Sequence, residues 1–237
     1  MIDWLLDGSH WAGADGIVNL IVQHLAYTGM ALLAASVVGI PIGLYVGHTR
    51  RGVFVIAGCA NALRALPSLG LIALLVILFG PVFESDLAFE VPSLIVLAVL
   101  AMPPIVTATY AGILAVDPAV VDAARGMGYR PLWLLLGVEV PCALPMIISG
   151  LRSATLQTIS TATIAAYVSL GGLGRLIIDG RAQNDYLQMT AGAILVGVLA
   201  LSADLVLGVL SRAVVSPGLT QRQKKHSKKR SMNLVSE

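Results

Sequence analysis

Charge is what this sequence has least of. Only 12% of its 237 residues are Asp, Glu, Lys or Arg, about half the share carried by an ordinary soluble domain. With 57% hydrophobic residues and a mean hydropathy of +0.86, a water-soluble globular domain is excluded and the chain belongs in a membrane. Cysteine is nearly absent. Cys59 and Cys142 lie in apolar sequence without CxxC spacing or a neighbouring histidine, which excludes a thiol redox motif and a cysteine metal site; both read as small buried hydrophobes. His10, His24, His48 and His226 are scattered and form no HExxH, so no metal site is expected. The absence of GxxxxGK[ST] excludes ATP binding by a P-loop. "GGLGRL" at 171–176 has the glycines of a dinucleotide turn but no preceding strand, and reads as a loop capping an apolar stretch. No two carboxylates share an apolar segment, so acid–base catalysis lacks its partners. Neither an enzyme nor a cofactor is expected.

What remains is long apolar runs. A hydrocarbon core of about 30 Å takes about 20 apolar residues in a helix, and five stretches qualify: 18–47, 53–79, 92–116, 142–168 and 189–213. A sixth run, "PLWLLLGVEV" at 131–140, is too short to cross and ends at Pro141; it reads as a separate short helix at the interface. The connections alternate in charge. Arg50 and Arg51 follow the first span, Glu84, Asp86 and Glu90 the second, Arg125 and Arg130 the third. Arg175 and Arg181 balance Asp179 and Asp185 after the fourth, and Arg212 with "RQKKHSKKR" follows the fifth. Lys- and Arg-rich loops stay in the cytoplasm, so residues 1–17 are expected outside, the 117–141 loop inside, and 216–237 as a basic cytoplasmic tail behind a membrane domain of 18–215. The N-terminus lacks the basic n-region of a signal peptide and is expected to be retained. The tail, without interleaved aromatics, suits anionic lipid rather than nucleic acid.

Gly39, Gly43 and Gly47 fall four apart in the first span, spacing that lets another helix approach closely. Pro41 and Pro67 interrupt the first two spans and suggest kinks whose freed carbonyls neighbours must satisfy. The fourth span is unusually polar. Ser149, Ser153, Gln157 and Ser160 share one face at steps of three or four, with Arg152 beside them. Such a stripe either bonds neighbouring helices or lines a watery path, and Arg152 favours the path. Arg64, Arg152 and Asp204 are expected to face protein or water, or to snorkel where they lie near helix ends.

One short polar stretch breaks the pattern. "DAARGMGYRPLW" at 122–133 places an acid, two arginines, two glycines and a proline between apolar spans. Asp122-Ala123-Ala124, three residues, Gly128, nine residues, then Val138-x-Val140-Pro141 resembles the cytoplasmic loop signature of binding-protein-dependent ABC importer permeases, with Asp in place of Glu and Val in place of Ile and Leu. Asp117 and Pro118 can start a helix there, and Gly126 and Gly128 allow a sharp turn after it. "ALRALPSLGLIALLVILFG", "AMPPIVTATYAGI", "EVPCALPMIISGLRSA" and "GGLGRLIIDG" extend the likeness over residues 20–213, and together they resemble permease subunits of osmoprotectant importers, those for glycine betaine, carnitine and choline. "TATY" in the third span and "VSL" (Val168, Ser169, Leu170) ahead of the glycine run depart from that family's usual pattern, which leaves the fold intact and the exact solute open.

The resemblance implies an all-α integral membrane protein of five transmembrane helices with a cytoplasmic coupling-helix loop, the type I ABC importer permease fold, in the bacterial inner membrane. It implies Asp122, Ala123, Ala124, Arg125, Gly126, Gly128 and Pro141 as the loop that couples to an ATPase, while Ser149, Arg152, Ser153, Gln157 and Ser160 are the candidate path. The implied partners are two ATP-binding subunits, a second permease subunit (self or sister chain), an external solute-binding protein and membrane lipid; any aromatic cage for a quaternary ammonium belongs to the binding protein. An importer for another small solute, such as an amino acid, shares most of these features. An ATP-independent secondary transporter would show inverted repeats or paired broken helices, and no convincing repeat relates the two halves.

Overall fold

The computed structural model describes residues 2–214 apart from Ala14, Glu84 and Ser169. The basic tail, Glu84 of the acidic connection and Ser169 of the "VSL" stretch therefore lie outside the described residues. Those described form helices and turns and no strand.

A short helix α1 (Ile2–Leu6) leads into α2 (Ile17–Thr49), which runs unbroken past Pro41. Trp4 and Trp11 from this beginning pack on a cluster of Ile17, Leu20, Leu173 and Leu176, and the Trp11 indole N–H donates to the Leu5 carbonyl at 2.7 Å. After a turn at Arg50–Gly52 come α3 (Val53–Ala65) and α4 (Ser68–Phe79). The single span expected over 53–79 is thus two helices meeting at 88°. Pro67 breaks the chain instead of kinking it. The residue before a proline is driven from the helical region, and Leu66 is extended, with φ −71° and ψ 133°. At 1.5 Å per residue, neither half alone reaches across about 30 Å.

Next come α5 (Leu87–Leu114), the loop helix α6 (Pro118–Gly126), α7 (Pro131–Leu134) and, after a π-helical turn at Leu135–Glu139, α8 (Val140–Ala165). Residues 131–140 are consequently not an independent interfacial helix. They continue into α8, and Pro131–Val168 forms one rod of 38 residues. Proline bars a regular helix because its ring meets the carbonyl four residues back. The wider π turn removes that clash ahead of Pro141, with the Val140 N–H donating five residues back to Leu135. The chain closes with α9 (Gly174–Ala182) and α10 (Tyr186–Val214). Among the described residues four helices are long and apolar enough to cross a membrane, or five spans if the bent α3–α4 pair counts as one.

The most buried long helix, α5, is the axis. α2 lies parallel to it through the glycine face: a Cβ on Gly43 would sit 2.6 Å from the Thr109 Cβ, and one on Gly47 2.7 Å from the Ile113 Cβ. α8 runs antiparallel on another side, where Gly150 meets Ala108 and Gly112 meets Ala143. These contacts leave no room for side chains, so small residues set the interhelical distance where lipid gives apolar groups no reason to associate. α10 is peripheral, and its most apolar window buries no residue against the rest of the chain. Cys59 is exposed on α3 and Cys142 half-buried at the start of α8, which corrects the expectation that both are interior. In a bilayer an apolar side chain escapes water equally well by facing lipid.

Candidate functional site: the loop helix and the serine face of α8

α6 is short, exposed and fixed at both ends. The Asp117 carboxylate accepts the Ala119 N–H at 3.0 Å, satisfying an orphan donor of the first turn, while Pro118 supplies a first-turn residue with no N–H to satisfy. At the other end Gly128 N–H donates to Arg125 O at 2.9 Å and Tyr129 N–H to Ala124 O at 3.2 Å. This pair of bonds is a Schellman motif, which needs a left-handed residue just beyond the cap. Gly128 supplies it, with φ +84°. Ala124 is buried and anchors the helix, whereas Asp122, Ala123, Arg125, Gly126 and Gly128 are exposed. Asp122 and Arg125 stand 3.8 Å apart on its open face. Around them Met127 is 71%, Leu132 64% and Trp133 66% exposed. Pro141 lies exposed beyond the π turn, in the first turn of α8. Arg50, Arg51 and Arg130 flank helix ends, and Arg125 and Arg212 occupy last turns, on the α6 side of the bundle, opposite Asp86, Glu90 and Asp185.

The polar stripe of α8 divides. Ser149, Ser153 and Ser160 are exposed on one face, continued by Leu156, Ile164 and Tyr167. Arg152 and Gln157 turn toward neighbouring helices. Arg152 pairs with Asp204 of α10, Nε to Oδ1 at 2.9 Å and Nη2 to Oδ2 at 2.7 Å, and Gly208 leaves space for its guanidinium. The Gln157 Nε2 donates to the Leu100 carbonyl at 3.0 Å. Leu100 is four residues before Pro104, whose missing N–H would otherwise have bonded there. A side chain thus satisfies backbone that Pro104 leaves open, while Thr107 makes the ordinary back-bond of a helical threonine to the Pro103 carbonyl at 2.6 Å.

At the far end the glycine run forms a loop after α8. Gly172, φ +89°, donates its N–H to the Gln23 side chain at 3.0 Å and lies against His24. His24 itself bonds the Ile159 carbonyl through Nε2 at 3.1 Å. A second pairing had no forewarning in the sequence: His48 Nδ1 and Glu139 Oε2 are 2.6 Å apart. Its only signal was a lone acid inside the apolar run "PLWLLLGVEV". Among the described residues no group of three metal-ligating side chains converges.

A helical bundle with long apolar spans and a capped, exposed helix at one end defines a multi-spanning membrane protein. The family model described as "Binding-protein-dependent transport system inner membrane component" matches residues 39–216, and the chain belongs to that family: it is a permease subunit of an ABC importer. It is 31% identical over 205 residues to the choline transport system permease protein OpuBB of Bacillus subtilis, covering 86% of this chain and 91% of that protein. It is 30% identical over 197 residues to the glycine betaine/carnitine/choline transport system permease protein OpuCB of the same organism, covering 83% and 88%. Among solved structures, a chain of the MetNI methionine ABC transporter in an inward-facing conformation superposes with a TM-score of 0.72 at 20% identity, over 82% of this chain and 94% of that one. That likeness carries the type I importer permease fold and no solute.

Proposed function

We propose that this chain forms half of the translocation path of an ATP-driven importer for a quaternary-ammonium osmoprotectant of the choline, glycine betaine or carnitine type. The observation that carries the coupling is α6: capped at both ends, anchored by Ala124, and offering an acid–base pair rimmed by exposed Met127, Leu132 and Trp133. An exposed apolar patch among charges marks a contact surface, and its occupant here is an ATP-hydrolysing subunit, one copy under each of two permease chains. The arginines on that side support a cytoplasmic position for it by the positive-inside rule, with the N-terminus outside near the external binding protein. Ser149, Ser153 and Ser160 form the wetted face of the path, which opens to alternate sides as nucleotide shifts the populations of two states. The relatives named for choline, glycine betaine and carnitine transport support the solute class.

The test is uptake by the complete complex reconstituted in vesicles with its ATPase and binding protein. Labelled choline, glycine betaine or carnitine should accumulate only with ATP and binding protein. ATP-driven uptake of an amino acid alone would replace the solute assignment. Accumulation without ATP would remove the importer reading.

A further inference from the structure

The pairing of His48 with Glu139 joins the last turn of α2 to the π turn ahead of α8, a second polar link between these rods besides His24 and the Ile159 carbonyl. His48 is in the last turn of α2, and Glu139 closes the π turn that links α7 to α8. Their side chains are 20% and 7% exposed, and the surroundings are Leu44, Leu135, Val140, Ile113 and Ala143. A carboxylate buried among such residues is costly unless hydrogen-bonded, so the contact strongly favours keeping the two elements together. π turns are single-turn irregularities that recur at functional sites. This one lies near the start of the longest rod of the fold, on one of the two covalent routes by which displacement of α6 can reach the membrane, the other being α5.

We propose that His48 and Glu139 are positioning residues that carry the movement of the α6 loop into α2. With a carboxylate as the acceptor, Nδ1 is the protonated nitrogen of His48 and donates across the contact. Beyond it α2 is held to α5 by the Gly43 and Gly47 contacts, so whatever moves the end of α2 acts on the central helix pair. The inference rests on the reading of α6 as the ATPase-coupling helix.

The experiment uses the complete complex, with Cys59 and Cys142 of this chain replaced by alanine and a single cysteine placed at Thr49, at the end of α2, or at Met127, beside α6. The probe is the rate of reaction with a water-soluble maleimide, with and without ATP. In the otherwise unsubstituted chain, ATP should change the rate at least threefold at both positions. In Glu139→Leu and in His48→Phe the response at Met127→Cys should persist and that at Thr49→Cys should vanish. His48→Asn, which keeps a donor near the Nδ1 position, should restore it. A nucleotide response at Thr49→Cys that survives both substitutions, or that is absent from the parent while Met127→Cys responds, overturns the proposal. If Met127→Cys itself ignores nucleotide, the coupling reading of α6 fails as well. Should His48→Phe not insert, Glu139→Leu decides alone, because it removes the acceptor while nearly keeping the side-chain volume.

Discussion

Arg152 grips Asp204 with two parallel hydrogen bonds, 2.9 Å from Nε and 2.7 Å from Nη2. The residues are 52 apart in sequence, and at about 1.5 Å per residue Arg152 lies about 20 Å from the end of α8 and Asp204 about 27 Å from the start of α10. The fork geometry of arginine suits a carboxylate, and the pair fastens α8 to the part of α10 beyond its packing on α9.

Removing one partner leaves the other charge unmatched at membrane depth. Asp204→Leu and Arg152→Leu should each lower the amount of inserted protein and its melting temperature in detergent. The double variant should recover much of both, since an apolar pair can replace a matched ion pair. Equal loss in the double variant would mean that Arg152 has another role, as expected of a residue lining the path.

Gln157 makes a sharper case. Gln157→Leu orphans the Leu100 carbonyl, which costs about 1–3 kcal/mol. Pro104→Ala returns an N–H to that carbonyl from within α5. The double variant should therefore be more stable than Gln157→Leu alone, read as the melting temperature of purified protein. If Pro104→Ala gives no recovery, the bond from Gln157 is not what the site needs.

The serine face predicts a labelling pattern along α8. Ser153→Cys and Ser160→Cys should react with a small water-soluble thiol reagent in the assembled complex, at rates that change with nucleotide. Ala154→Cys and Ile159→Cys, whose parent residues are fully buried, should stay inert. Uniform inertness at all four would make the stripe a surface for helix packing.

Orientation is tested by Ser85→Cys, in the acidic connection, and Arg130→Cys, beside α6. They should label from outside and from inside the cell respectively. Labelling from one side only would break the charge alternation on which the topology rests.

Much of this architecture was legible because a bilayer imposes few choices. Most apolar runs long enough to span became single long helices, and the four-residue glycine spacing has one physical solution: the structure places the Gly39–Gly43–Gly47 face against α5. The signature around Asp122 and Gly128 was legible for a local reason: helix caps and left-handed glycines are written in adjacent residues. The rest depended on prolines and on distant partners. Pro67 and Pro141 look alike in sequence, but one ends a helix at 88° and the other is absorbed by a π turn. Nothing near Gln157 announces that it will meet a carbonyl freed by Pro104, and nothing near His48 announces Glu139. Both contacts arise from how three helices are stacked. That stacking also moved Arg152 and Gln157 away from the serine face that helical periodicity had assigned them to or near.

The most direct measurement of the central claim is co-purification of the ATPase subunit with variants of the α6 loop. Gly128 has open space where a Cβ would go, so a side chain there is opposed by the backbone alone: a φ of +84° costs a branched residue on the order of 1–2 kcal/mol. Asparagine tolerates that region better. Gly128→Val should thus insert normally and lose the ATPase, with Gly128→Asn milder. Asp122→Lys, which reverses an exposed charge without bending the loop, should also lose it, together with ATP-driven uptake. If Gly128→Val and Asp122→Lys both keep the ATPase bound and uptake coupled, α6 is only a connector and the account of how this permease is driven is contradicted.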